Sequence, residues 1–224
     1  MNSSNLFAPL WLSVQLAGIT TMLLIIIATP VAWWIAQSTS RWKPAVQTLV
    51  ALPIVLPPTV LGFYLLIVLG PAGAIGGWWV ELTGSALTFS FTGLVIASCL
   101  YSLPFAVQPL VTAFESLGNS KLEAAWTLGA TRTDAFFSIA LPLSIRGYLS
   151  AIALSFAHTL GEFGVVLMVG GNIPGETRVI SIAIYDQVES LNYTAAHQLS
   201  AVLLIVAFVA LFSMFFINRR WQLR

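Results

Sequence analysis

The chain has 224 residues, of which 58% are hydrophobic and 8% charged, with a formal net charge of +1. A soluble domain carries about 25% charged residues, so this composition excludes a water-soluble fold and gives an integral membrane protein. The near-neutral balance, with no basic or aromatic-basic motif, leaves no case for a nucleic-acid partner.

In chain order, residues 10–36 form an uncharged apolar run longer than a signal-peptide core, and nothing basic precedes it. It reads as an uncleaved spanning helix. Residues 46–69 form the second run, interrupted by Pro53, Pro57 and Pro58; Pro30 and Pro104 lie in the first and third. Each proline removes a backbone donor and frees a carbonyl upstream, which lipid cannot satisfy. Broken helices facing protein or a wet cavity are therefore expected, with Pro57, Pro58 and Thr59 as pathway or hinge candidates. Kinked packing helices are the other reading. Residues 70–90 are rich in glycine, with Trp78 and Trp79 suited to the membrane interface.

Residues 91–114 form the third run and hold the single cysteine, Cys99, read as a core-packing residue. A polar island follows, then a fourth run over residues 147–169 and a fifth over residues 199–217. Between these two, Pro174-Gly175 signals a turn, and Ile180, Ile184 and Val188 recur at helical spacing. They predict a short helix on or dipping into the outer face, either a packed cap or a gate. The fold class is thus all-α integral membrane with about five transmembrane helices in one domain, residues 1–224.

Orientation follows from the basic residues. Arg41 and Lys43 lie in the first loop, Lys121, Arg132 and Arg146 in or beside the third, and Arg219, Arg220 and Arg224 in the tail. With five spans these regions share one side and hold eight of the nine basic residues, leaving only Arg178 opposite. The positive-inside rule then puts the amino terminus outside and the carboxyl terminus in the cytoplasm.

The island, about residues 117–142, carries the spacing Glu123-Ala124-Ala125, Gly129, Ile139, Leu141-Pro142. In so apolar a chain these polar residues belong in water. Leu122, Ala125, Trp126 and Gly129 recur every three or four residues, so a helix here would present one face to a partner's groove. Glu123 favours the positive end of the helix dipole and suits a basic partner residue. The fourth run holds an ionisable pair, His158 and Glu162. A spacing of four places both on one helical face, turned toward protein or water because charge in lipid is costly. Three readings stand for the pair: a structural hydrogen-bonded pair between subunits, a pathway or gate, and a proton relay.

The island's seven fixed positions resemble the coupling loop of binding-protein-dependent ABC importer permeases. LPIVLPPTVLGFYLL (residues 52–66), LGEFG (160–164) and GNIPGETR (171–178) extend the resemblance over the whole chain, toward the oxyanion branch and its molybdate permeases. His158 departs from the pattern, since relatives often carry arginine there. The resemblance implies a type I importer permease fold and a cytoplasmic coupling helix with Glu123, Ala124, Ala125, Trp126 and Gly129 against the ATPase. His158, Thr159 and Glu162 stand as pathway or gate candidates on their own chemistry, and the resemblance adds an outer-face motif of Pro174, Gly175, Glu176, Thr177 and Arg178.

It further implies a homodimer, two ATPase subunits and a periplasmic or lipid-anchored molybdate-binding protein. No cofactor is expected in this chain: no phosphate-binding glycine loop, metal cluster or nucleophile elbow occurs, and ATP and Mg belong to the ATPase. The chain itself is then a non-catalytic subunit. The rivals are a sulfate, thiosulfate or tungstate permease and, from another class, a proton-coupled secondary transporter.

Overall fold

The computed structural model describes residues 4–222. Arg224 of the basic tail lies outside them, as do the side chains of Arg219 and Arg220. The described residues are helices joined by short turns. Helix α1 spans Ser4–Gln37, α2 Lys43–Val55, α3 Pro58–Leu69, α4 Ala74–Thr83 and α5 Phe91–Ser116. After them come α6 (Asn119–Thr127), α7 (Arg132–Ala135), a π-helical turn (Phe136–Ala140) and α8 (Leu141–Leu143). The chain closes with α9 (Ile145–Gly161), α10 (Gly164–Gly170), α11 (Ile180–Glu189) and α12 (Tyr193–Gln222). Three helices, α1, α5 and α12, are each long and apolar enough to cross a membrane; the number reaches five if two bent pairs each count as one span.

Proline acts selectively. Pro9 and Pro30 lie inside α1, and Pro104 and Pro109 inside α5, without ending either helix. The break falls only at Leu56-Pro57, where α2 and α3 meet at 111°. A residue before proline is pushed out of the helical region, and here two consecutive residues are so placed. Leu56 and Pro57 accordingly adopt extended ψ values of 134° and 136°. The expected interruption at Pro53 is absent, since that residue is buried within α2.

The fourth run departs from its expected continuous span. It stops at Gly161 and resumes at Gly164, with Glu162 extended (φ −71°, ψ 140°) between them. The freed Glu162 carbonyl accepts a hydrogen bond from the Ser181 hydroxyl of α11, so the predicted outer helix clamps the break. Ile180 at the start of α11 donates its amide to Ser13 of α1 at 2.7 Å, which fixes α11 against the bundle. Ile180 is fully buried while Val188 is 41% exposed, so the apolar stripe packs at one end only.

The main core gathers α1, α2, α5 and α9 around Leu24, Ile35, Leu110 and Phe114. A second cluster joins α3, α5 and α10. Small residues let these helices approach: a Cβ on Gly147 would meet the Ala113 Cβ at 2.3 Å, and one on Gly62 the Met168 Cβ at 2.7 Å. Cys99 sits partly buried against two core clusters. Conversely, Leu204, Phe208, Phe212 and Phe215 of α12 and Phe63, Tyr64 and Ile67 of α3 are exposed. An apolar surface of this extent calls for lipid or another subunit.

Candidate functional site

The turn between α5 and α9 is built from two helix ends set back to back. Helix α6 ends in a Schellman motif: Gly129 donates to the Trp126 carbonyl and Ala130 to the Ala125 carbonyl, both at 3.0 Å. Gly129 takes φ +88°, a left-handed conformation that glycine adopts without Cβ strain. Two residues later Thr131 caps α7: its hydroxyl oxygen accepts from the Asp134 amide at 3.1 Å, and Asp134 accepts in return from the Thr131 amide and hydroxyl. The Thr131 side-chain hydrogen bond, and then its backbone one, hold the Asp134 carboxyl below its ordinary range. Pro142 has no amide to offer Ser138, four residues earlier, and the chain widens into the π-helical turn just upstream.

This geometry reverses part of the expected docking face. Leu122 (0% exposed) and Ala125 (8%) are turned inward, packed on Ala135 with Trp33 and Ile139 around them. The apolar stripe of a short amphipathic helix is used first by its own chain, burying a leucine worth about 1.5–3 kcal/mol. Trp126 lies toward α1, lining a cavity with Trp33, Gln37 and Arg132. Gly129 has nothing within 4 Å of its Cβ position, so within this chain it serves the turn rather than a close approach.

From Glu123 to Gly129 the exposed residues are Glu123, Ala124, Trp126, Thr127, Leu128 and Gly129, so of the expected docking residues there only Ala125 is buried. Leu128 is 88% exposed at the tip of α6, beyond the membrane-length runs. Sequence reasoning passed over it, although a leucine just before the glycine of a polar island was the available signal.

Aromatic rings hold the loop to the bundle. Trp33 meets Phe114 and Phe136 edge to face, with centroids 5.2 and 5.1 Å apart. Phe136→Leu keeps most of the apolar volume but removes the ring geometry, and is expected to cost about 1–2 kcal/mol. A lowered melting temperature in detergent would register it, and an unchanged one would remove Phe136 from the anchor.

At the other end of α9, the expected pairing of His158 with Glu162 on one helical face does not form, because Glu162 lies outside the helix. His158 Nδ1 is 2.9 Å from the Ser102 hydroxyl, and its ring stacks on Phe105 at 3.9 Å. Thr159 is buried and bonded to Ser102 at 3.0 Å. Glu162 is 6% exposed. Its carboxylate has no partner in hydrogen-bond geometry among the described residues. The Val165 and Val166 amides and the Ser98 hydroxyl lie around it. Pro58 packs against Gly164, where a Cβ would meet the Pro58 Cβ at 2.6 Å. The two helix breaks therefore lie side by side, with Pro57 and Thr59 exposed and Pro58 half-buried.

The loop between α10 and α11 is held by its own hydrogen bonds. The Ile173 carbonyl accepts from the amides of Glu176, Thr177 and Arg178. The buried Thr177 hydroxyl oxygen accepts from the Ile173 amide at 3.1 Å. Gly175 takes φ +83°, and Pro174, Gly175 and Glu176 are exposed. Arg178 donates to the Asn172 side-chain oxygen and lies 4.0 Å from Asp186.

The sequence profile of the family described as "Binding-protein-dependent transport system inner membrane component" matches residues 28–223. The chain is 50% identical over 213 residues to the molybdenum transport system permease protein of Azotobacter vinelandii, covering 95% of this chain and 94% of that one. It is 34% identical over 212 residues to a putative molybdenum transport system permease protein of Bacillus subtilis, covering 95% and 93%. Among solved structures, a bacterial ABC transporter involved in alginate import superposes with a TM-score of 0.78 at 19% identity, covering 98% of this chain and 80% of that one. The broken spans, the exposed turn between α5 and α9 and the profile match agree, and the chain belongs to the family of binding-protein-dependent transport inner membrane components.

Proposed function

We propose that this chain is the membrane-spanning permease subunit of an ABC importer that carries molybdate, and also tungstate, across the inner membrane. The observation that carries the substrate is the 50% identity over 95% of the chain to a molybdenum permease. The subunit is not itself catalytic. ATP and Mg are held by two separate ATPase subunits, which dock on the outward face of the coupling loop at Glu123, Ala124, Thr127 and Leu128. A soluble molybdate-binding protein delivers the anion to the outer face, at Pro174, Gly175 and Glu176. Two copies of the chain enclose the pathway between them, the role proposed for the exposed apolar faces, since one chain of this size has little room for a pathway of its own.

The helix breaks supply polar backbone beside the pathway, in keeping with weak, transient contacts to a desolvated dianion. Thr159, bonded to Ser102, reaches the pathway only if that bond opens, whereas Thr59 is exposed already.

The test is uptake of labelled molybdate by the permease reconstituted with its ATPase and binding protein. Tungstate in excess is expected to compete and sulfate to have little effect. Strong competition by sulfate alone would move the substrate to the sulfate branch, and uptake driven by a pH gradient without ATP would replace the importer reading altogether.

The proposed topology has the amino terminus outside and the carboxyl terminus in the cytoplasm. It rests on the eight-to-one split of basic residues. A cysteine at exposed Ser85 is expected to react with an impermeant reagent in intact cells, and one at exposed Thr133 only after lysis. The opposite pattern would invert the orientation.

A further inference from the structure

The last turn of α1 and the loop that holds α6 and α7 frame two cavities of about 560 and 130 Å³ that share Trp33, Gln37 and Arg132. The larger is completed by Trp34, Ser38 and Ser40, and the smaller by Trp126. The lining combines indole rings, small polar groups and a guanidinium. Trp33 and Trp34 belong to the final apolar turn of α1, and Trp34 is 40% exposed. The amide and hydroxyls of Gln37, Ser38 and Ser40 follow, and the Arg132 guanidinium approaches from the loop.

Arg132 has no ion pair among the described residues. The carboxylate two positions away, Asp134, is occupied by the Thr131 cap. Nearby charge is also positive: Arg41 lies 5.7 Å from the centre of the Trp42 ring, while Lys43 is already paired with Glu115 at 3.3 Å. Indole rings, hydroxyls and an unpaired guanidinium in one groove match an anionic phospholipid, with acyl carbons against tryptophan and phosphate against arginine.

We propose that this groove binds the phosphate of an anionic phospholipid, which thereby braces the coupling loop against the end of α1. The groove is separate from the outward face given above to the ATPase. It lies in the cytoplasmic leaflet on the proposed topology, but lipid binding can be measured whichever side it occupies.

The experiment is native mass spectrometry of the full-length permease in detergent, titrated with phosphatidylglycerol or phosphatidylcholine. The wild type is expected to retain phosphatidylglycerol in preference. Arg132→Gln is expected to lower that affinity about fivefold, which corresponds to about 1 kcal/mol for one basic residue at a lipid surface. Arg132→Lys should retain most of it, and phosphatidylcholine retention should not change. If Arg132→Gln does not fold, Trp34→Ser, which removes the acyl contact, should give a comparable loss. Inorganic phosphate in excess should not displace the lipid; displacement would mean a soluble anion site instead. Equal phosphatidylglycerol retention by wild type and variants would overturn the proposal. So would loss of ATPase association in Arg132→Gln with lipid retention intact, which would make the groove a protein contact.

Discussion

Leu128→Asp is expected to abolish ATP-driven uptake while the permease remains folded and inserted. Leu128 is 88% exposed at the tip of α6 and contributes almost nothing to its own chain's core, so replacing it removes little internal stability. An exposed leucine flanked by small and polar residues is suited to fill a hydrophobic socket on a partner. Central anchors of that kind carry 2 kcal/mol or more, about thirtyfold in affinity, and a carboxylate there must also be desolvated on docking. The matched comparison is Ala125→Leu, which forces volume into the Leu122–Ala135 cluster and should lower the melting temperature before it affects docking. Co-purification of the ATPase with each variant, beside uptake, separates the two effects. Normal ATPase recovery and uptake in Leu128→Asp would remove the outward face from the coupling role.

Gly164→Leu is the second large effect, and it acts through the adjoining helix breaks. A Cβ at this position would stand 2.6 Å from the Pro58 Cβ, closer than real Cβ contacts approach, and a proline ring has no rotamer by which to yield. Either α3 and α10 part or the turn at Glu162 is redrawn. Overpacking of this kind costs about 1–3 kcal/mol. A shift at this point is also expected to misplace Pro57 and Thr59, so uptake should be lost even where the protein is still recovered. Gly161→Ala is the internal control, because nothing lies within 4 Å of its Cβ position and its φ is not positive. That change should be neutral or slightly stabilising. Equal behaviour of the two variants would show that the contact between the breaks is not needed.

The all-helical membrane class with about five spans was legible because it depends on apolar length summed over many residues; where the fourth span begins was not, since the bent pair that supplies it takes in Arg132–Leu143 of the polar island as well as Ile145–Gly161. Tertiary choices were not. Leu122 and Ala125 had the right periodicity for an interaction face, but periodicity does not say whether the surface that receives it belongs to the same chain. His158 and Glu162 had helical spacing, yet Gly161 and Gly164 bracket Glu162, and packing against Pro58 ends the helix between them. The LGEFG pattern held that signal, since two glycines around a charged residue favour a turn. Pro30, Pro53 and Pro104 read as breaks equally well from sequence. Only the Pro57-Pro58 pair, where two successive residues are barred from helical ψ, produced one.

Between these sites runs α5, 26 residues with two internal prolines and no break. At one end Glu115 is tied to Lys43, and near the other Phe89 donates its amide to the Val169 carbonyl at 2.8 Å. At 1.5 Å per residue the helix is roughly 39 Å long, so a tilt of about 10° imposed at its loop end would swing the far end through roughly 7 Å. An unbroken rod between two broken helices has the geometry of a lever, so under the proposed function a small rotation at its loop end would arrive enlarged at its far end.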